Sequence, residues 1–276
     1  MQIKERRWLD APWDVRRQPH GPRLTFPPGR RIRALPRSGA GLVLGSPPNQ
    51  SALTKRLSEG TLTKEGWLKK YTDIKHLKGI LKRNSLFLGD PDAWPDKNDV
   101  YAIKLAHPSG ARVTCMTMSA DRYHFWTDYG GGLNGVCLWF NPQKFKRHVK
   151  GDNSLIAGEV VYPPMNREKT ELTFGKMKPA SSAFVKRQQY ADEREFRVIR
   201  SGSDADTDLS FSKPSLERIY LNSWLEKCCA DRMRKEIQDQ LNDLKGYEHV
   251  KIKQNRVCDH KDWKDALEKS FEKQGG

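Results

Sequence analysis

No stretch of the chain comes near the roughly 18–20 consecutive apolar residues of a membrane-spanning helix, so a helical membrane protein is excluded. The basic start Met1-Gln2-Ile3-Lys4-Glu5-Arg6-Arg7 is followed by no apolar segment, so no secretory signal is expected. Cysteine is scarce and unpaired in pattern. Cys115, Cys137, Cys228, Cys229 and Cys258 are odd in number and none has zinc-ligand spacing, which fits reduced thiols in a cytoplasmic protein. There is no G-x-x-x-x-G-K followed by Ser or Thr, no G-x-G-x-x-G after a strand, no H-E-x-x-H and no G-x-S-x-G. The seven histidines are scattered among basic residues. P-loop, zinc-protease and serine-hydrolase chemistry are therefore set aside, and no metal ligands are assigned.

Negative charge is also in deficit. Fifty Lys+Arg against 34 Asp+Glu leave a net charge of +16, which attracts polyanions such as nucleic acid or phosphate-bearing small molecules. The charge is unevenly made. Residues 1–50 carry eight of the sixteen prolines, with nine arginines and one lysine against three acids, so they contribute +7. Runs such as Pro27-Pro28-Gly29-Arg30-Arg31 break helical and strand periods alike. Residues 1–60 read as a disordered, basic Pro/Arg-rich arm, either a nucleic-acid-binding arm or simply a tail. Residues 61–276 read as one domain.

Within that domain Trp67–Tyr71 reads as a strand. Asp73 caps a short helix with Ile74, Leu77, Ile80 and Leu81 on one face, ended by Asn84 in the left-handed conformation. Further strands are expected at 86–88, 113–118, 136–140, 157–162, 193–199, 217–221 and 249–253. Short helices are expected at 121–129 and 184–191, and a long one at 225–244. Short strands mixed with short helices, without a βαβ rhythm, predict an α+β fold with mixed or antiparallel sheets.

Three segments could carry chemistry. Lys69-Lys70-Tyr71-Thr72-Asp73 sets an aromatic and a hydroxyl at a strand-to-helix corner, suited to a base or ribose, with helix amides for phosphate. An ordinary cap with a packed tyrosine fits equally. Tyr123-His124-Phe125-Trp126-Thr127-Asp128-Tyr129, followed by three glycines, suits a platform for a planar ligand. It also suits a core helix and loop. In Glu193-Arg194-Glu195-Phe196-Arg197, alternation puts Glu193, Glu195 and Arg197 on one face. That face could stabilise a developing cation or bind a ribose hydroxyl, or be an exposed row of pairing charges. A metal-dependent nuclease would have Asp96, Asp99, Glu193 and Glu195 as its only plausible carboxylates.

In this order the segments from about Trp67 to Val257 resemble a bacterial family described only as a domain of unknown function. The matches are Lys70-Tyr71, Leu81 to Leu88, Trp126 to Tyr129, Gly135-Val136 to Phe140, and Glu193-Arg194-Glu195-Phe196-Arg197. The turn Trp94-Pro95-Asp96-Lys97-Asn98-Asp99 departs from that family's pattern, and Tyr190 stands where it usually has tryptophan. More remotely, the layout is similar to the ADP-ribosyltransferase superfamily: Thr72 through Lys82 resembles its first strand and helix, and Glu195 its late-strand glutamate. The resemblance implies an NAD-dependent ADP-ribosyltransferase-like enzyme, a bacterial toxin or defence effector with nucleic acid as the favoured acceptor. Glu195 or Glu193 would be catalytic. Tyr71 with Tyr129 or Trp126 would hold the nicotinamide, Lys70 or Arg83 would meet the pyrophosphate, Thr72 would supply the hydroxyl, and Arg197 would fix the glutamate's charge. The alternative is a non-catalytic nucleotide- or nucleic-acid-binding module using the same aromatics and basic face.

Overall fold

The first strand and helix form where the apolar spacing puts them. The structure, a computed structural model, describes residues 66–166, 171–172 and 179–272; the arm expected at 1–60 lies outside them. Strand β1 (Leu68–Asp73) ends on the residue that caps α1 (Ile74–Arg83). The Asp73 carboxylate accepts from the Lys75 amide at 2.9 Å, and Leu77, Ile80 and Leu81 are buried. Asn84, at φ 51°, turns the chain out of the helix and into β2 (Ser85–Phe87).

There follow α2 (Lys97–Ala106), β3 (Ala111–Thr117), α3 (Tyr123–Asp128), β4 (Gly135–Phe140), α4 (Pro142–Lys150) and β5 (Leu155–Glu159). After the two-residue strands β6 (Met165–Asn166) and β7 (Glu171–Leu172) come β8 (Glu195–Ser201), β9 (Asp208–Ser210) and β10 (Leu216–Leu221). The described chain closes with α5 (Lys227–Asn242), β11 (Lys251–Gln254) and α6 (Lys261–Glu272).

Seven strands form one sheet in the order β11-β10-β4-β1-β3-β8-β5, antiparallel except for the parallel pair β10–β11. The molecule is thus α+β, with a mixed, mostly antiparallel sheet and short helices. Strands β1 and β4 pair along six positions, and β3 and β8 along seven. Between β1 and β3 the ladder is the single pair Lys69↔Thr117. The sheet therefore has two well-paired halves joined at one point.

One face is covered throughout: Leu77, Ile80 and Leu81 of α1, Phe145 and Val149 of α4, and Ala230, Ile237 and Leu241 of α5 pack on Leu68, Met116, Leu138, Phe140, Phe196 and Val198. The other face carries two separate clusters. Ile103 of α2 packs with Ala183 and Phe184 on Val113 and Ile199, while Phe125 and Trp126 of α3 pack on Tyr71 and Cys137.

Some elements differ from the sequence expectation. In place of a helix over 184–191 there are two 3-10 segments, Pro179–Phe184 and Gln188–Glu193, because Val185 bridges to Val161 and breaks the helical run. Strand β8 starts at Glu195 rather than Glu193, since Arg194 takes φ 43°. The turn at Trp94–Asp99 holds the cap of α2, where Asp96 accepts from the Asn98 amide at 3.0 Å. Helices α2, α4 and α6 have no counterpart in the sequence reading. Among the described residues no helix is long and apolar enough to cross a membrane.

Candidate active site

After the left-handed turn at Arg194, Glu195 and Arg197 share the face of β8 turned away from the large core. Their ladder neighbours are Thr117 and Cys115 on β3 and Gly158 on β5. Gly158 matters by having no side chain: a Cβ there would lie 3.3 Å from the Phe184 ring, which instead closes down over the strand. The face that alternation marked as polar is buried, with Glu195 4% and Arg197 0% exposed.

Burial of charge demands pairing, and the pairing is dense. Arg197 grips Glu195 with both edges of its fork, Nε to Oε1 at 2.5 Å and Nη2 to Oε2 at 3.1 Å. The same Nη2 reaches Asp99 Oδ2 of α2 at 2.6 Å, and Nη1 donates to the Ala183 carbonyl at 2.8 Å. Lys186 is the second cation. Its Nζ donates to Glu193 Oε2 at 2.6 Å and lies 3.4 Å from Glu195 Oε2 and 3.8 Å from Asp99 Oδ2. Three tyrosines frame the group. Tyr129 donates to Glu193 Oε1 at 2.9 Å, the Tyr162 hydroxyl accepts from the Glu195 amide at 2.8 Å, and Tyr190 lies 4.6 Å under the Lys186 ammonium. Thr117 donates to the Glu193 carbonyl.

The two glutamates are pushed apart. Burial raises the Glu195 carboxyl, but the charge and hydrogen bonds of Arg197, with Lys186, outweigh it and hold the group at about 2. At Glu193 burial wins over Lys186 and the carboxyl is raised; at Asp99 burial likewise wins over Arg197. Burial disfavours the Lys186 charge, yet Glu195 and Glu193 draw it above the ordinary lysine value. The cluster thus offers a permanently ionised carboxylate beside one that exchanges a proton more readily.

The fold as a whole can be compared with solved structures. Solved structures of DarT from Thermus sp. 2.9 are similar to it. The structure with carba-NAD+ is 16% identical, that with NAD+ 12% and that with ADP-ribosylated ssDNA 14%, each at a TM-score of 0.38. Each alignment covers 71% of this chain and 97–98% of the DarT chain. No protein-family model and no curated protein matches the chain.

The residues singled out from sequence fall into three places. Glu193, Glu195, Arg197 and Tyr129 come together, with Tyr129 51% exposed at the edge. Lys70 joins them from β1: its Nζ donates to the Cys115 carbonyl at 3.1 Å, within electrostatic reach of Glu195, and burial lowers its pKa. Tyr71 and Trp126 lie in the adjoining cluster, 5% and 0% exposed, their rings edge-on at 5.1 Å, with Tyr71 donating to Asp121 at 2.7 Å. Thr72 is half-buried in β1 opposite Val136. Arg83 sits at the end of α1 and pairs with Asp208 of the β2–β9 ribbon at 3.7 Å.

Asp99, weighed above only as a metal carboxylate, enters as a partner of Arg197, whereas Asp96 pairs with Arg187 at 3.2 Å. Asp99 Oδ1 is buried without a hydrogen-bond partner and Glu193 Oε1 takes the Tyr129 hydroxyl, and among the described residues no group of His, Cys, Asp and Glu could hold a metal ion. Lys186, Tyr162 and Cys115 were missed. Nothing local marks Lys186 among 50 basic residues; only its distance to three carboxylates does.

Proposed function

We propose that this chain is an NAD-dependent ADP-ribosyltransferase-like enzyme that transfers ADP-ribose to a nucleic-acid acceptor. The supporting observation is the buried Glu193–Glu195 pair at the joint of the two sheet halves, gripped by Arg197 and Lys186 and edged by the exposed Tyr129. Loss of nicotinamide from NAD leaves an oxocarbenium-like ribose, and a fixed carboxylate in a water-poor site stabilises such a charge without reorganising. Glu195 is the residue for that task, since Arg197 keeps it ionised and immobile. Glu193, with the higher pKa, is suited to take the acceptor's proton.

Tyr129 lies against the nicotinamide, Lys70 answers the pyrophosphate charge and Thr72 belongs to the surround, whereas Arg83, at the far end of α1, is held by Asp208 instead. Tyr71 and Trp126 act by packing α3, the helix that delivers Tyr129. The resemblance extends the reading to a bacterial or phage toxin or defence effector working in the cytoplasm. One observation favours a second reading, a nucleotide-binding module without catalysis: both Glu195 oxygens are already engaged by Arg197.

Nicotinamide release, NAD binding by tryptophan fluorescence and circular dichroism separate the two. Glu195→Gln is expected to slow release by about 10²–10³-fold, the size of one lost transition-state contact, with binding and fold kept. Glu193→Gln is expected to slow transfer by about 10²–10⁴-fold, as for a lost general base. Binding without release by the wild type leaves the module reading, and no NAD binding at all overturns both.

A further inference from the structure

The sheet's pairing registers align residues that the chain scatters widely. Reading across the strands, Lys251 of β11 is opposite Arg218 of β10, Arg218 opposite Trp139 of β4, and Trp139 opposite Lys69 of β1. Lys69 is paired with Thr117 of β3, and Thr117 with Glu195 of β8. One row therefore runs over six strands and ends on the glutamate of the candidate site, about 24 Å from its start at five inter-strand steps of about 4.8 Å. The next row holds Lys253, Tyr220, Cys137 and Tyr71. Their neighbours Ile219, Leu138 and Ile252 belong to the large core, so both rows occupy the opposite face. Arg218 reaches it through a bulge: the register shifts between Leu216, which is in the core, and Arg218.

Helix α3 covers Tyr71 and Cys137 at one end of this face. Beyond it Trp67, Trp139, Arg218, Tyr220 and Trp224 are half-buried, and Lys251, Lys253 and Tyr123 are exposed. The rings are held ready. Trp139 and Tyr220 lie 4.5 Å apart, Trp67 is 6.0 Å from Trp139, and Tyr123 is 4.9 Å from Trp224. The Arg218 guanidinium sits 4.7 Å over Trp67 and the Lys69 ammonium 4.4 Å over Trp139. Short of Glu195 no acidic residue stands in either row; Asp121 neutralises Lys69 at 3.6 Å, while Arg218, Lys251 and Lys253 form no ion pair among the described residues. An ordinary solvated sheet face carries charges of both signs; the rows on β4, β10 and β11 carry rings and cations.

We propose that this open face of β1, β4, β10 and β11 is a docking surface for single-stranded nucleic acid. Bases stack on Trp139, Tyr220 and Trp67, and Lys251, Lys253 and Arg218 meet the phosphates. Unstacked bases and a polyanionic backbone are the chemistry that such a face complements. That the row delivers the strand to Glu195 rests on the transferase reading; the docking itself does not.

The test is fluorescence anisotropy, without NAD, on a labelled single strand of about 12 nucleotides, within the range of about 4–16 that one such fold covers. Deoxythymidine and uridine strands and a duplex of equal length are compared across salt concentrations. Both single strands are expected to bind more tightly than the duplex. Lys251→Glu with Lys253→Glu, both at exposed positions, is expected to reduce the salt slope by about 1.4, at about 0.7 for each lost phosphate contact. Trp139→Ala is expected to weaken binding by about five- to 150-fold, one lost base stack. Should Trp139→Ala fail to fold, the lysine pair still decides.

Arg147→Glu with Lys150→Glu, exposed on α4 across the sheet, is expected to bind like the wild type. An unchanged slope and affinity in the Lys251/Lys253 variant overturns the proposal. So does loss confined to the α4 variant, or a duplex bound as tightly as a single strand. Nicotinamide release without nucleic acid is expected to stay at the wild-type rate in the Lys251/Lys253 variant. A wild type that binds strands but releases no nicotinamide removes the transferase reading and leaves this one standing.

Discussion

At the scale of single residues the centre of the molecule is a charge balance. Asp99, Glu193 and Glu195 face Arg197 and Lys186, all of them buried or nearly so. Removing one member strands the rest. Arg197→Met is expected to cost about 3–5 kcal/mol in denaturant unfolding, because it leaves Glu195 and Asp99 buried with Lys186, already bonded to Glu193, as their one remaining counter-charge. Arg197→Lys is not expected to restore this, since an ammonium cannot make the two parallel bonds to Glu195 while also reaching Asp99. Glu195 and Arg197 were legible from alternation along one strand; Glu193 lies outside that strand, beyond the left-handed Arg194. Lys186 and Asp99 were not legible, because their roles come from proximity in space across about 10 and 100 residues of chain.

At the scale of elements, α1 shows how far local chemistry reaches. Its cap, apolar face and left-handed exit are all written in residues 73–84, and the structure has each of them. Asp73→Ala is expected to destabilise by about 1 kcal/mol, lowering Tm by about 2–4 °C for a domain of this size, and Asp73→Asn by much less. Thermal unfolding followed by circular dichroism measures both. The loop after α3 leans on the same cap. Gly131 has φ 79°, and a Cβ there would sit 3.1 Å from the Asp73 carboxylate, so Gly131→Ala is expected to destabilise more than a surface exchange would. The helix expected over 184–191 does not form for the opposite reason: a bridge from Val185 to Val161 and the ion pairs of Lys186 and Arg187 outweigh local helical preference.

At the scale of the whole molecule, the pairing inside the core links stability to pH. Glu195 sits at about 2 in the folded chain against an ordinary value of 4.5. A depressed carboxyl stabilises above its unfolded value and ceases to do so as pH falls through its folded one. Its contribution, about 3 kcal/mol, is therefore full above pH about 4.5 and lost towards pH 2. Glu193, raised by burial, works in the other direction and is relieved by protonation. Stability measured against pH is expected to fall steeply between about 4.5 and 2 in the wild type, and less steeply in Glu195→Gln. An acid limb of equal slope in both proteins rules this out.

The sequence by itself determined the α+β class, the position of most strands, the first helix with its cap, and the polar face of β8. Each follows from periodicity, turn residues and capping within a few residues of chain. It also marked the aromatics of 123–129, but whether a ring meets a ligand or the core depends on what lies above it. Tertiary structure put Trp126 in the core and left Trp139 and Tyr220 partly open on a basic sheet face. It alone decided that six strands would bring Lys251 and Glu195 into one row. Register and burial are relations between distant segments, and no local pattern carries them.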